Sequence, residues 1–258
     1  MVKGLYTAYT GMINEQHRMD VLTNNLANAD TNGFKKEGAT SQSFDSILAY
    51  KIKDSSEGYN LAKRIGVNHP GVKIGEGYTD FSQGSLRTTD NTFDLALTDS
   101  GFFAVEFTNK AGETSVKYTR DGDFALTREG YLVTRDGDSV LDENGSPIQI
   151  DPLADVEINT SGQIIQNGRV AATIQVTDFE DYNYLERYGE NYFQPIEGAQ
   201  EKEAAAQVYS GYLETSNISV VTEMVNMITV SRAYETNQKV ITTYDSTLDI
   251  AANQLGRI

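Results

Sequence analysis

Apolar residues recur at every seventh position along the C-terminal segment: Val220, Met227, Tyr234, Ile241, Leu248 and Leu255, with Met224 between the first two. From Asn217 onward the chain holds no Pro, and no Gly before Gly256. A seven-residue apolar period free of helix breakers predicts a long helix whose seam is directed at a partner. Over residues 218–255 such a helix would span roughly 57 Å, too long to lie against one small domain. The other end of the chain has the same character. Leu5, Ala8, Met12, Met19, Leu22 and Leu26 follow heptad spacing, with Glu15 as the polar interruption, and Asn28, Asp30, Asn32 and Gly33 predict that this helix stops near residues 28–31. Two stripes of this kind either bury against a common core in one monomer or pack against neighbouring copies. Their position at the extreme ends of the chain favours assembly.

Between them the period changes. Residues 34–80 read as an irregular connection, in which Phe44, Ile47, Leu48 and Tyr50 suggest one or two further helical turns before Gly66, Pro70, Gly71, Gly75 and Gly77 break any helix. From about Val72 the alternation is two: Leu95 and Leu97, then Phe103, Val105 and Phe107, then Ile174 and Val176, each set predicting a strand with one buried face. The dipeptides Asp121-Gly122, Glu129-Gly130, Asp136-Gly137 and Asn144-Gly145 predict a meander of short hairpins, continued by turns at Ser161-Gly162 and Asn167-Gly168. The paired carboxylates Asp121/Asp123 and Asp136/Asp138 lack the remaining positions of a calcium-binding EF-hand loop. Tyr182, Tyr184, Leu185, Tyr188, Tyr192 and Phe193 form an aromatic run among acidic residues, which fits packing or a protein contact better than base stacking. The expected fold class is mixed α and β, with long terminal helices pairing as a coiled-coil domain around a central all-β domain of short hairpins. The expected domains are residues 1–33 with 215–258 as a discontinuous helical assembly domain, 34–71 as an extended linker, and 72–214 as a β-rich outer domain.

Charge sharpens this division. Of the formal −16 carried by 258 residues, each end contributes −1 and the middle −14. An acidic middle disfavours nucleic acid and anionic bilayers, whereas nearly neutral ends can pack side by side many times without accumulating repulsion. There is no Cys for disulfides or thiolate metal sites. The first thirty residues lack a signal-peptide apolar core, and no stretch has the length of a membrane span. His17 and His69 stand outside any zinc motif, and neither a phosphate-binding loop nor a nucleophile elbow occurs. No catalytic, cofactor-binding or metal-binding residue is therefore nominated, and no small-molecule substrate is expected. Two rival classes stay open at this point. A cell-wall hydrolase would need two carboxylates about 5–10 Å apart across a cleft, and a surface binding module would use the aromatic run.

Four motifs carry a family resemblance. Asn24-Asn25-Leu26-Ala27-Asn28 through Gly33-Phe34-Lys35 resembles the N-terminal signature of flagellar rod and hook proteins. Gln83-Gly84-Ser85-Leu86 through Gly101-Phe102-Phe103-Ala104-Val105 is similar to that family's first β segment, and Tyr118-Thr119-Arg120-Asp121-Gly122-Asp123-Phe124 with Gly130-Tyr131-Leu132-Val133-Thr134 to its hairpin region. Gly211-Tyr212-Leu213-Glu214-Thr215-Ser216-Asn217 with Ser231-Arg232-Ala233-Tyr234-Glu235 resembles its C-terminal signature. The resemblance implies a non-enzymatic rod subunit of the flagellar basal body, outside the cytoplasmic membrane and exported by the flagellar type III apparatus without a cleaved signal. It also implies that copies of the chain and other axial rod or hook subunits are its partners, joined through the two seams.

Overall fold

The computed structural model describes residues 2–45, 47–51, 63–109, 112–189 and 191–253. In chain order the elements are α1 (Val2–Ala27), β1 (Lys36–Ser43), β2 (Ile47–Lys51), β3 (Lys63–Asn68), β4 (Val72–Asp80), β5 (Leu86–Thr88), β6 (Leu95–Thr98), β7 (Phe102–Thr108), β8 (Thr114–Thr119), β9 (Phe124–Leu126), β10 (Leu132–Thr134) and β11 (Ser139–Val140). There follow β12 (Val156–Ile158), β13 (Gln163–Gln166), β14 (Arg169–Thr173), β15 (Val176–Phe179), a short 3-10 turn (Tyr182–Tyr184), β16 (Leu185–Tyr188), β17 (Tyr192–Pro195), β18 (Glu201–Glu203), β19 (Gln207–Ser210), β20 (Tyr212–Glu214) and α2 (Val220–Asn253). Mixed α and β composition, with a helix near each end and a β-rich centre, is as the periodicities require. The chain divides into two compact units, one of Met1–Leu26, Glu37–Thr79 and Ser219–Ile258, the other of Ala27–Lys36 and Asp80–Ile218.

The first unit combines α1 and α2 with two-stranded ribbons. β1 pairs with β4, and β2 pairs antiparallel with β3 through an irregularity at Ala49/Tyr50. Ribbons of two strands are marginal alone, and here side-chain bonds tie the β1–β4 ribbon and the chain at Pro70 in place. Thr7 Oγ1 donates to the Pro70 carbonyl at 3.1 Å, Asn14 Nδ2 to Ser41 Oγ at 3.0 Å, and Thr40 Oγ1 to the Glu76 carbonyl at 3.0 Å. The further helical turns expected around Phe44 to Tyr50 are replaced by β2. A lone helical turn would repay little of its ordering entropy, whereas β3 offers a ladder, interrupted once at Ala49/Tyr50, to a segment containing Ile47 and Tyr50.

The second unit is built on a sheet of order β16-β17-β8-β7-β11-β10-β9, with β15 also pairing with β7 and carrying β18. Strand β7 is central, and it corrects the expectation of one buried face. Phe103 and Val105 enter a core with Leu95, Leu97, Phe124, Leu132 and Val140, while Phe102 and Ala104 enter a second core with Tyr118, Leu141, Phe179 and Phe193. The second core takes Tyr182 and Phe193 from the aromatic run: Phe81 lies 4.8 Å from Tyr182 and 5.2 Å from Phe193, and Tyr118 meets Phe179 edge-on at 5.0 Å. Strands β12, β13 and β14 form a separate meander. Its second turn, Asn167-Gly168, has positive φ at both residues, the geometry that matches strand twist across a two-residue hairpin.

The Asp121-Gly122 dipeptide is not a hairpin turn. The Leu95 N–H donates to the Gly122 carbonyl at 2.9 Å, and a Cβ on Gly122 would collide with the Leu95 backbone carbonyl. Only glycine permits this approach. Gly122→Ala is expected to destabilise the second unit by roughly 3 kcal/mol, whereas Gly145→Ala, at φ 74 in open space, should cost about 1–2 kcal/mol. Urea unfolding of the two variants checks the contrast, which equal losses would refute.

Candidate functional site

α1 has two faces. Leu5, Met12, Met19, Leu22 and Leu26 are half-buried, and Ala8 is buried with them. Tyr6, Tyr9 and Ile13 lie on another stripe and are 50, 49 and 40% exposed. Asn25, fully buried, fixes the end of the helix: its Nδ2 donates to the Glu37 carbonyl at 2.8 Å and its Oδ1 accepts from the Glu37 N–H at 2.9 Å. Asn24, on the exposed side, donates to Glu37 Oε2 at 3.1 Å. The helix stops at Ala27, and half-buried Asn28 accepts from the Thr31 N–H in the turn that follows.

α2 also has two faces. Glu223, Met227, Val230, Tyr234, Asn237, Ile241 and Tyr244 are buried or half-buried and alternate by four and three residues, the heptad rhythm. Ala233 is half-buried and Arg232 exposed. Gly4 of α1 faces the Tyr244 ring, and a Cβ added at Gly11 would sit 3.0 Å from the Asn237 amide. Two glycines seven apart in α1 thus meet two residues seven apart in α2 in reverse order, so the helices run antiparallel where they touch. The other face is open and apolar at its start. Val221, Met224, Val225 and Ile228 are between 49 and 74% exposed, and Val220 and Leu248 also face outward. Leu255 lies outside the described residues. Val221, Val225 and Ile228 escape an every-seventh-residue reading, although their spacing of four and three marks a helical stripe.

In the second unit, the loop after α1 is fastened by a buried ionic cluster. The Lys35 ammonium, 1% exposed, donates to Glu214 Oε1 at 2.6 Å and to the Ser82 carbonyl at 2.9 Å. Arg120, also buried, places Nη1 3.3 Å from Glu214 Oε2 and Nη2 2.6 Å from the Asp99 carbonyl. The Gly84 N–H donates to Glu214 Oε1 at 2.8 Å. Burial pushes the Lys35 pKa down, against the opposing pull of Glu214. Around the cluster the Gly33 N–H donates to the Glu214 carbonyl at 2.7 Å and the Lys36 N–H to Asn217 Oδ1 at 2.8 Å. Phe34 is fully buried under the Arg187 guanidinium, 4.2 Å from its ring centroid. The sequence motifs name Lys35, Arg120 and Glu214, but no local signal pairs residues separated by 179 and 94 positions.

Beside this loop lies Asp121. Its carboxylate accepts from the Asp123 N–H at 3.1 Å and from Asn191 Nδ2 at 3.2 Å, and the same Asn191 amide also reaches the Asn32 carbonyl at 2.8 Å. Burial foremost raises its pKa to about 6, and the neighbouring Asp123 charge adds to the shift. Among the described residues no group of three or more His, Cys, Asp or Glu is placed to hold a metal, and no helix is long and apolar enough to cross a membrane.

Known proteins match along the whole chain. The family described as "Flagella basal body rod protein" matches residues 5–35, "Flagellar hook protein FlgE/F/G D1 domain" residues 96–170, and "Flagellar basal body rod FlgEFG protein C-terminal" residues 209–255. The flagellar basal-body rod protein FlgG of Buchnera aphidicola subsp. Schizaphis graminum is 32% identical, covering 96% of this chain and 98% of that protein. The flagellar hook-basal body complex protein FlhO of Bacillus subtilis is 32% identical over 100% of both chains, and the rod protein FlgF of Caulobacter vibrioides is also 32% identical over 100% of both.

A carboxyl whose folded pKa lies above its unfolded value binds its proton more tightly in the folded state, so its contribution favours folding as pH falls. Between about pH 6 and the ordinary carboxylate value of 3.8, Asp121 should add stability with falling pH. Asp121→Asn removes that component. The difference in unfolding free energy between the two proteins, measured by denaturant titration, should therefore vary across this interval; a constant difference from pH 4 to 7 would count against the shift.

Proposed function

The chain belongs to the flagellar basal-body rod protein family, and from that premise we propose that it polymerises through its terminal helices into the helical tube of the rod. It is a structural subunit of the basal body, in a family of structural rod proteins rather than enzymes. In this reading the tube transmits torque and its bore serves as the export channel. α1 and α2 of one subunit pair as a coiled coil, copies of the chain and other axial rod or hook subunits dock on the remaining faces, and the flagellar export apparatus delivers the chain without cleaving a signal. The terminal segments 1–33 and 215–258 act as the assembly domain, 34–71 as a linker and 72–214 as the outer domain.

The observation that carries the reading is the open apolar face at the start of α2, where Val221, Met224, Val225 and Ile228 stand exposed on a helix whose opposite stripe is already occupied. Burying each such side chain is worth roughly 1.5–3 kcal/mol, and a tube repeats that gain at every subunit. The rival classes have less to stand on. Of the aromatic run expected of a binding module, Tyr182 and Phe193 are spent in packing around Phe81 and Phe102, and Tyr192 against Phe107, while Tyr184 and Tyr188 stay partly exposed; none of the relatives named above is a hydrolase.

Val225→Glu combined with Ile228→Glu places two charges on this face without touching either core. The variant should keep wild-type helical circular dichroism as an isolated protein and fail to restore swimming in cells lacking the native subunit, with no rods recovered from their envelopes. Normal motility and normal rods would contradict the proposal.

A further inference from the structure

The buried cluster around Glu214 has an unequal charge count. Two cations, Lys35 and Arg120, share one carboxylate, and all three side chains are at most 4% exposed. The remaining partners of the cations are backbone carbonyls, those of Ser82 and Asp99. Arg120 Nε has no hydrogen-bond partner, and the guanidinium carbon lies 5.3 Å from the Phe102 ring. Removing either cation leaves a matched pair, whereas neutralising the carboxylate leaves two cations out of water with no carboxylate bonded to either, only the Asp80 charge still acting on Lys35 without a hydrogen bond. That second change is far costlier, since an uncompensated buried charge loses its solvation without any return.

The three groups arrive from distant parts of the chain. Lys35 comes from the loop that follows α1, Arg120 from the residue just after β8, and Glu214 from the last residue of β20. The loop around Lys35 also leans on the Glu214 segment through the bonds of the Gly33 and Lys36 N–H groups, which go to the Glu214 carbonyl and the Asn217 side chain. Asn217 in turn donates to the Asp80 carbonyl at 2.8 Å and the Ser82 carbonyl at 3.1 Å. The N-terminal loop thus takes its hydrogen bonds and its counter-charge from a stretch of chain 179 and 181 positions further on.

We infer that Glu214 is a closure latch: the loop carrying Lys35 and the segment carrying Arg120 dock only once β20 delivers its carboxylate. A chain lacking its C-terminal part would fold its sheet yet leave the family's N-terminal motif undocked. The latch would thereby distinguish complete subunits from incomplete ones. It acts inside the second unit and does not depend on how the helices assemble.

Amide hydrogen exchange read by mass spectrometry on the full chain tests this with two variants. Glu214→Gln should raise exchange at least tenfold in residues 33–36 and 119–122, while the β10–β11 and β13–β14 hairpins keep wild-type protection. Adding Lys35→Met to Glu214→Gln removes the stranded ammonium, so protection should return at 33–36 and stay lost at 119–122. A change confined to residues 212–215, or a uniform loss across the whole unit, would overturn the latch, as would a double variant no better protected at 33–36 than Glu214→Gln. If Glu214→Gln yields no folded protein, the double variant carries the test by itself. Recovery of a folded β region is expected, and failure to recover it contradicts the inference.

Discussion

A carboxylate held out of water between two cations leaves its chain little freedom at three widely separated places. Glu214 fixes where β20 ends, where the β8–β9 connection turns and how the loop after α1 lies. Such clusters add little net stability, because desolvation of the charges consumes most of their attraction. Their value is conditional: a misplaced partner leaves a buried charge bare, so wrong arrangements are penalised more heavily than the right one is rewarded. The hydrophobic cores on the two faces of β7 supply the bulk of the stabilisation in this unit, while the ionic cluster fastens the loop carrying Lys35 to the end of β20 within it.

The helical unit follows a different rule. Its contacts are small-to-large, glycine against tyrosine and glycine against asparagine, and its stripes alternate by three and four residues. Occupying one face of α2 leaves the other apolar and wet, a combination that a solitary subunit has no reason to keep. In a repeating structure the same face becomes buried area. The near-neutral charge of both terminal segments allows that repetition without mounting repulsion.

Local patterns are legible in the sequence itself. The seven-residue period announced α2, Asn28 to Gly33 announced the end of α1, and Asn167-Gly168 announced a two-residue hairpin. What escaped is non-local. Phe102 and Ala104 are interior because a second core covers the face of β7 that alternation alone assigns to solvent. Ile47 and Tyr50 join a strand because a partner strand lies beyond them in the chain. Gly122 resembles a turn residue, but it is there to let the Leu95 carbonyl approach. Lys35 and Glu214 meet across 179 positions, a pairing with no periodic trace.

The chain contains no cysteine, so a single Val225→Cys substitution gives an unambiguous probe of the open α2 face. Maleimide labelling of that variant should be fast in the dilute isolated protein and strongly suppressed in basal bodies purified from swimming cells. Leu153→Cys, at a position 95% exposed on the β-rich unit, provides the reference for a site outside the proposed interface. Protection of Cys at 225 relative to Cys at 153 in the assembled rod is the result this account predicts. Equal labelling of Val225→Cys in the free and assembled protein would contradict it.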